Sequence, residues 1–229
     1  FTRTEVVGLK QNSAKPGRAP TGLAALRMTT IDHVGRLVLD FHRCAMLPLS
    51  PSAPDTGHDD DLSALGSGTV AADPTAHWDA AAFRARVPGP HFSADMAGSV
   101  LRSSADVVSS APELARLTLN IAAAHHDRRA AGRRLVYGGH TIGLALAQAS
   151  RLLPNLAAVL GWASCEHTGP VYEDDTLHST LTIEAVDELP GGGGGVLTLR
   201  SVVFASGDDG PDLMSDRPVL DWRFSALIF

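Results

Sequence analysis

The stretch from Leu119 to Ala145, LNIAAAHHDRRAAGRRLVYGGHTIGLA, holds the residues of this chain best suited to chemistry. It begins with a polar cluster in which His125 and His126 stand next to Asp127. A histidine whose pKa lies near neutrality is the usual general acid or base of an enzyme. Taken alone, the cluster is compatible with an active site and also with a solvated polar loop. Other parts of the sequence are needed to distinguish these two interpretations.

The same stretch continues into two glycines, Gly138 and Gly139, that precede an apolar segment. If that segment is a helix, the first backbone N–H groups lack partners within the helix and lie at the positive end of its dipole. Such N–H groups suit a developing oxyanion, for example the enolate of a thioester. A histidine followed by a glycine-rich helix start therefore predicts chemistry on acyl thioesters.

Other chemistries have weaker support in the sequence. His125, Asp127 and His140 could supply metal ligands, but the HxxxH and CxxC spacings typical of such sites are absent. A GxSxG nucleophile elbow and a phosphate-binding loop are also absent. The two cysteines, Cys44 and Cys165, lie far apart and are predicted to be reduced thiols. We therefore expect neither a metal nor another bound cofactor.

The composition predicts a packed, soluble protein. The chain has 229 residues, of which 44% are hydrophobic and 19% are charged, and its formal net charge is −6. The basic residues are scattered, which argues against a nucleic-acid partner. No apolar run approaches the roughly 20 residues that a membrane helix needs, and no signal peptide is apparent. The expected location is cytoplasmic.

Alternating apolar and polar residues predict two similar sets of strands. The first set covers 2–9, 23–31 and 36–47, and the second covers 176–188, 196–205 and 217–229. The order and lengths match, so we predict two related α+β units. The first, residues 1–48, consists of the last strands of an incomplete unit, and a flexible linker rich in Pro, Ser, Gly and Asp spans 49–72. Residues 73–229 form the second unit.

Three helices are predicted in the second unit. Asp73 and Pro74 are expected to begin a short helix that ends near residue 87. A second helix is predicted over 103–120, with Ser103 or Ser104 as its N-cap and a break at Pro112. The third begins near His140, is apolar almost all round, and is therefore expected to be buried. A long antiparallel sheet wrapped around this helix is the arrangement we predict.

The segment from about 104 to 181 resembles the MaoC-like dehydratases, the (R)-specific enoyl-CoA hydratases of the hotdog superfamily. LTLNIAAAHHD matches the first motif of that family, with His125 at the position of its histidine and Asp127 two residues later. YGGHTIGLALAQ matches the start of the central helix. Gly139 takes the position whose N–H binds the thioester oxygen.

The third motif is PVYEDDTL. Asp174 stands where the family usually has glycine, and Asp175 stands at the position of the family's aspartate. The first three predicted strands resemble the end of a first hotdog, as in double-hotdog members whose two halves emulate the usual dimer. The resemblance thus implies an α+β double-hotdog fold with an incomplete first unit, and subunits that could form a homodimer.

The resemblance also implies a function. In these hydratases an aspartate and the histidine activate a water that adds to trans-2-enoyl-CoA, giving (R)-3-hydroxyacyl-CoA, while the glycine N–H stabilises the enolate. No cofactor is implied other than coenzyme A or an acyl-carrier protein as the carrier of the thioester. The implied catalytic residues are His125, Asn120 and Gly139. The implied substrate-binding residues are Asp127, Gly138, His140, Tyr137 and Arg134.

The sequence departs from the family pattern at the catalytic aspartate. Its position is occupied by Asn120, which is no base at any working pH. Asn120 could orient the water while His125 transfers every proton, or His126 or Asp127 could act as the base. Alternatively the protein binds acyl-CoA or an acyl-carrier protein without turnover. A hotdog thioesterase is a third possibility, with Asp127 as the only nearby candidate for attack on the thioester carbon.

Two further sets of polar residues lie near these motifs. The four loop arginines are expected either to be solvated or to contact the phosphates of CoA; they are Arg128, Arg129, Arg133 and Arg134. His167 precedes the strand start at Gly169 and Pro170, and we predict a structural or solvent-facing role for it.

Overall fold

The computed structural model describes residues 1–17, 19–52, 55–66, 78–130, 132–207 and 216–229. The chain divides into two compact units, Phe1–Val70 and Ala71–Phe229. The N-cap predicted at Asp73 and Pro74 and the last part of the predicted linker, 67–72, lie outside the described residues. Within the described ranges, no helix combines the length and the apolar character required to cross a membrane.

The first unit contains a three-stranded antiparallel sheet. Its strands are β1 (Thr2–Gln11), β2 (Thr21–Ile31) and β3 (Leu37–Pro48), in that order. The predicted hairpin between β2 and β3 is confirmed, because Thr30 pairs with Leu39 and Thr21 with Pro48. The strand β1 ends two residues after its predicted end, and β2 begins two residues before its predicted start.

Part of the predicted linker is hydrogen-bonded to β1. The Gln11 N–H donates to the His58 carbonyl at 2.9 Å, and the Asp60 N–H donates to the Leu9 carbonyl at 3.0 Å. In return, the Leu9 N–H donates to the Asp60 carboxylate at 2.7 Å. These residues thus lie along the edge of the sheet. The assignment of 49–72 as a linker and the domain bounds as a whole stay predictions.

In its described residues, the second unit contains a larger antiparallel sheet and three α-helices. The strands are β4 (Val100–Arg102), β5 (Asp106–Val107), β6 (Leu156–Glu166), β7 (Thr176–Glu188), β8 (Gly195–Ser206) and β9 (Arg217–Ile228). They lie in the order β4-β7-β8-β9-β6, and β5 also pairs with β7. The helices are α1 (Ala80–Arg86), α2 (Ala111–Leu117) and α3 (Gly138–Leu152). Within the described residues, α1 has Asp79 as its N-cap.

The sheet packs against α3 to form the core. Every second residue of β8, from Gly195 to Ala205, is buried, as expected for a strand with one face on a core. The buried face of α3 consists of Thr141, Ala145, Gln148 and Ala149. The Gln148 amide donates to Asp106 at 2.8 Å and to the Leu177 carbonyl at 3.0 Å, which ties α3 to β5 and β7.

Two helix predictions need correction. The helix α3 is not buried all round, because Gly143 and Ala147 on its other face are exposed. The helix predicted over 103–120 is confined to the seven residues of α2, and the preceding residues form the short strand β5. Pro112 lies in the first turn of α2, where no backbone N–H is needed, so it begins the helix instead of breaking it.

The end of α2 positions Asn120. The Asn120 N–H donates to the Ala115 carbonyl at 2.9 Å, and the Leu119 N–H donates to the Arg116 carbonyl at 3.1 Å. This pair of bonds is the Schellman motif, whose central residue adopts a left-handed conformation that favours glycine. Leu119 takes that place with a φ of 57°. The chain thus turns sharply at Leu119 and enters the segment that carries the histidines.

We expect Leu119→Gly to raise the free energy of unfolding by about 1 kcal/mol, because glycine adopts this φ without the steric cost that leucine bears. The leucine side chain is 82% exposed, so little packing is lost. Urea unfolding measures the change. Leu117→Gly is the matched control, since Leu117 is 80% exposed but helical, and there glycine should destabilise by about 0.5–1 kcal/mol. An equal loss in both variants would contradict the assigned cap.

Candidate functional site

The polar cluster of the sequence lies at the end of a short 3-10 turn, Ala123–His125, that follows α2. The Asn120 Oδ1 accepts the Ala122 N–H at 3.2 Å, and the Asn120 carbonyl lies 2.6 Å from Nε2 of His126. A carbonyl only accepts, so His126 donates through Nε2. His126 therefore serves to close this turn, and the Asn120 side chain already uses its oxygen on the backbone.

His125 is held in one orientation by the residues opposite the turn. Its Nδ1 lies 2.8 Å from the Leu135 carbonyl, and the Leu135 N–H donates to the Ala124 carbonyl at 3.0 Å. Because the carbonyl is an acceptor, Nδ1 carries the proton of the neutral ring. The lone pair is then on Nε2, which is the atom able to take a proton from water. In this tautomer, Nε2 is the ring nitrogen of the half-buried His125 that could accept a proton.

Tyr137 and Gly139 lie beside His125 at the start of α3. The rings of His125 and Tyr137 meet edge to face, with their centroids 6.2 Å apart. The hydroxyl and ring of Tyr137 occupy the space that a Cβ at position 139 would need. A glycine is therefore required at 139 to let the tyrosine lie against the helix. This contact brings the imidazole, the phenol and the helix start together.

The N-terminus of α3 presents backbone donors. The helix begins with Gly138 and Gly139, while the N–H of His140 donates to the Tyr137 carbonyl at 2.9 Å. For the N–H groups of the two glycines, no backbone acceptor is found within the described ranges. Both can therefore donate to an anionic oxygen at the positive end of the helix.

The remaining predicted site residues have other contacts. Asp127 accepts from the Arg129 guanidinium, whose Nε lies 3.0 Å from each carboxylate oxygen, and this bond lowers the pKa of Asp127. Arg134 forms an ion pair with Glu173. The Nδ1 of His140 is buried and has no hydrogen-bond partner in the described part of the chain, and burial lowers the pKa of this histidine.

A second network, centred on Asp175, supports Leu135, the residue whose carbonyl accepts the His125 N–H. The buried Asp175 carboxylate accepts the Tyr172 N–H at 2.8 Å and lies 2.5 Å from Arg217 and 3.4 Å from Arg133. Tyr172 pairs in turn with Leu135, whose carbonyl accepts the His125 N–H. The PVYEDDTL motif thus acts on the candidate base through the backbone of Leu135.

The structure brings together only part of the predicted set. Tyr137 lies against both His125 and Gly139, and Asn120 is linked to His125 through the turn that His126 closes. Sequence reasoning gave His167 no role in the site, yet its ring lies against Gly138. Its only sequence signal was its place just before the PVYEDDTL motif. Among the described residues, no group of three or more His, Cys, Asp or Glu side chains is placed to hold a metal ion.

Two of the solved structures that are similar to this chain match nearly its whole length. A conserved hypothetical protein from Mycobacterium tuberculosis, described as having a double hotdog fold, is 66% identical. Its TM-score is 0.87, and the match covers 100% of this chain and 69% of that one. A MaoC domain dehydratase from Chloroflexus aurantiacus is 25% identical with a TM-score of 0.78, over 99% of this chain and 69% of that one. The α+β double-hotdog fold is thereby confirmed.

Two curated proteins are also similar to this chain. Mesaconyl-CoA hydratase of Cereibacter sphaeroides is 28% identical over 89% of this chain and 61% of its own length. Beta-methylmalyl-CoA dehydratase of Chloroflexus aurantiacus is 27% identical over 97% of this chain and 63% of its own length. The chain thus spans about three fifths of the length of these relatives. No family model matches the chain.

Proposed function

The chain belongs to the MaoC-like dehydratases with a double-hotdog fold, and on that premise we propose that it catalyses the reversible hydration of an enoyl thioester. The orientation of His125 is the observation that carries the proposal. Its Nδ1–H is used on the Leu135 carbonyl, so its Nε2 lone pair is available beside Tyr137 and the start of α3. A base and an oxyanion site thus lie on neighbouring elements, as addition of water to a conjugated thioester requires.

In the proposed reaction, Nε2 of His125 takes a proton from water while the water oxygen bonds to C3 of trans-2-enoyl-CoA. The electron pair of the double bond moves toward the thioester, whose oxygen becomes an enolate oxygen bound by the Gly139 N–H. The enolate then collapses and C2 takes the proton back from His125. The product is (R)-3-hydroxyacyl-CoA, and the histidine regains its starting state.

Asn120 is proposed to orient the attacking water through its amide N–H groups, because its oxygen already accepts the Ala122 N–H. His125 then performs both proton transfers. Asp127 is the weaker candidate for a base, since its bond to Arg129 lowers its pKa and so its affinity for a proton. His126 donates through Nε2 in closing the turn, so only its Nδ1 could act as a base.

The proposed substrate is a CoA thioester, in keeping with the names of the two curated relatives. An acyl-carrier protein is the other possible carrier. Contacts of the substrate with Asp127, Gly138, His140, Tyr137 and Arg134 stay predictions, as do a homodimer and a cytoplasmic location. Arg134 could reach a substrate only by sharing or leaving its ion pair with Glu173.

The proposal is tested by following crotonyl-CoA and longer enoyl-CoAs through the loss of their enoyl absorbance. We expect turnover by the wild type, and Asn120→Ala should lower kcat about 10-fold because the water loses one oriented contact. Asn120→Asp keeps the acceptor for the Ala122 N–H and adds a second base, so its kcat should equal or exceed that of the wild type.

The alternative to an enzyme is a protein that binds acyl thioesters without turnover. Asn120 is the observation that favours it, because an amide replaces the acid that the family resemblance implies at this position. An inactive wild type together with an active Asn120→Asp would contradict the hydratase proposal and support a binding protein. Release of free CoA without hydration would instead support a thioesterase.

A further inference from the structure

His167 lies between β6 and β7 and packs against the first residue of α3. A Cβ built on Gly138 would come within 2.6 Å of Nε2 and 2.8 Å of Cε1 of the His167 ring. Only glycine at position 138 therefore admits the imidazole. The ring lies one residue away from Gly139, the proposed donor to the thioester oxygen.

The backbone next to His167 packs closely against β9. The Thr168 N–H donates to the Val219 carbonyl of β9 at 3.1 Å. Gly169 packs so closely that a Cβ there would lie 2.9 Å from the Pro218 carbonyl oxygen. The segment that follows His167 is thus attached to β9.

The His167 ring has a donor that the protein itself does not use. Neither ring nitrogen has a hydrogen-bond partner in the described part of the chain, and the residue as a whole stays exposed although its ring is packed on Gly138. Burial of the ring lowers the pKa of His167, and the positive end of α3 also disfavours a cation there. A neutral imidazole keeps one N–H, which can polarise a carbonyl as a neutral histidine at a helix N-terminus does in triosephosphate isomerase.

We propose that His167 donates a hydrogen bond from Nε2–H to the thioester oxygen of the bound substrate, beside the Gly139 N–H. This inference rests on the proposed hydration and adds a catalytic residue to it. The enolate oxygen that forms in the reaction has room for two donors, and its negative charge strengthens both bonds. The contribution is therefore larger in the transition state than in the ground state, which is what raises kcat.

The test compares two substitutions of His167. His167→Phe keeps a ring on Gly138 and removes the donor, and we expect kcat for crotonyl-CoA to fall by about 10²–10³ with little change in KM. His167→Gln places an amide N–H near the position of Nε2 and should recover kcat to within about 10-fold of the wild type. His33→Gln, at the exposed turn between β2 and β3, is the matched control and should leave kcat unchanged.

Three outcomes would overturn the inference. The first is a His167→Phe variant with the kcat of the wild type, and the second is a His167→Gln variant that is as slow as His167→Phe while both are folded by circular dichroism. A drop confined to KM would also contradict it, because a donor to the enolate acts on kcat. Rescue by glutamine is the result that a packing role alone does not produce.

A second readout separates this inference from the proposed hydration. Acetoacetyl-CoA bears an enolisable acyl group, and its near-ultraviolet absorbance reports the enolate fraction when it binds. We expect the wild type to raise that fraction and His167→Phe to lose the increase. If the wild type stabilises the enolate but does not hydrate enoyl-CoA, the inference stands and the hydratase proposal fails. If it hydrates enoyl-CoA and His167→Phe behaves as the wild type in both assays, the inference fails alone. Absence of both activities overturns both.

Discussion

Replacing His125 by alanine is expected to lower kcat for enoyl-CoA hydration by about 10²–10⁴, because one imidazole performs both proton transfers in the proposed reaction. KM should change little, since the ring contacts the water and not the bulk of the acyl-CoA. The initial rate of enoyl absorbance loss at saturating crotonyl-CoA measures the effect.

His125→Asn provides the matched control for structure. Its amide N–H can replace the Nδ1–H that donates to the Leu135 carbonyl, so the turn should keep its conformation while the base is lost. We expect this variant to unfold at the same urea concentration as the wild type and to be as inactive as His125→Ala. Activity within about threefold of the wild type in His125→Asn would show that another group is the base.

Replacing Asp175 by alanine is expected to lower the free energy of unfolding by about 3 kcal/mol, the lower end of the range for breaking a buried ion pair. Its carboxylate is fully buried and accepts from Tyr172, Arg133 and Arg217. Both arginines are partly exposed and can be rehydrated, which limits the loss. Urea unfolding followed by tryptophan fluorescence measures the change.

Asp174→Asn is the control for Asp175→Ala, since it removes the neighbouring negative charge at an exposed position. Asparagine tolerates the φ of 73° found at residue 174, so we expect the free energy of unfolding to change by no more than about 0.5 kcal/mol.

Asp175→Ala should also lower the hydration rate, because Tyr172 pairs with Leu135 and Leu135 orients His125. Equal unfolding free energies for Asp175→Ala and the wild type would contradict the network.

Much of the fold follows from periodic patterns in the sequence. The two predicted sets of three long strands and the apolar helix α3 could be recognised, because long alternating or apolar runs dominate the local preference of the chain. The strands β4 and β5 were not, since two or three residues carry no readable period and become strands only by pairing with β7. The exposed face of α3 was missed for a related reason: small residues such as Gly143 and Ala147 are compatible with either environment.

The candidate site was predictable only where its residues are close in sequence. The motif residues His125 and Gly139 could be recognised, but their relation to Leu135 and Tyr137 depends on how the loop folds back. The contact between His167 and Gly138 joins segments that only the tertiary fold brings together.

The role of Asp127 likewise needed the geometry. The sequence left it as a possible base or thioesterase residue beside Asn120. The structure shows its carboxylate bonded to Arg129, which lowers its pKa. The sequence does not predict which arginine pairs with Asp127, because four arginines follow it within seven residues and any of them could be solvated.

The most direct test of the central claim is incubation of the wild-type protein with crotonyl-CoA in oxygen-18 water, followed by mass spectrometry of the CoA species. Hydration predicts intact 3-hydroxybutyryl-CoA with the heavy oxygen at C3. The His125→Asn variant should not form this product. Free CoA together with a labelled carboxylic acid would contradict the account in favour of a thioesterase. Unchanged crotonyl-CoA would contradict it in favour of a protein that binds the thioester without reaction.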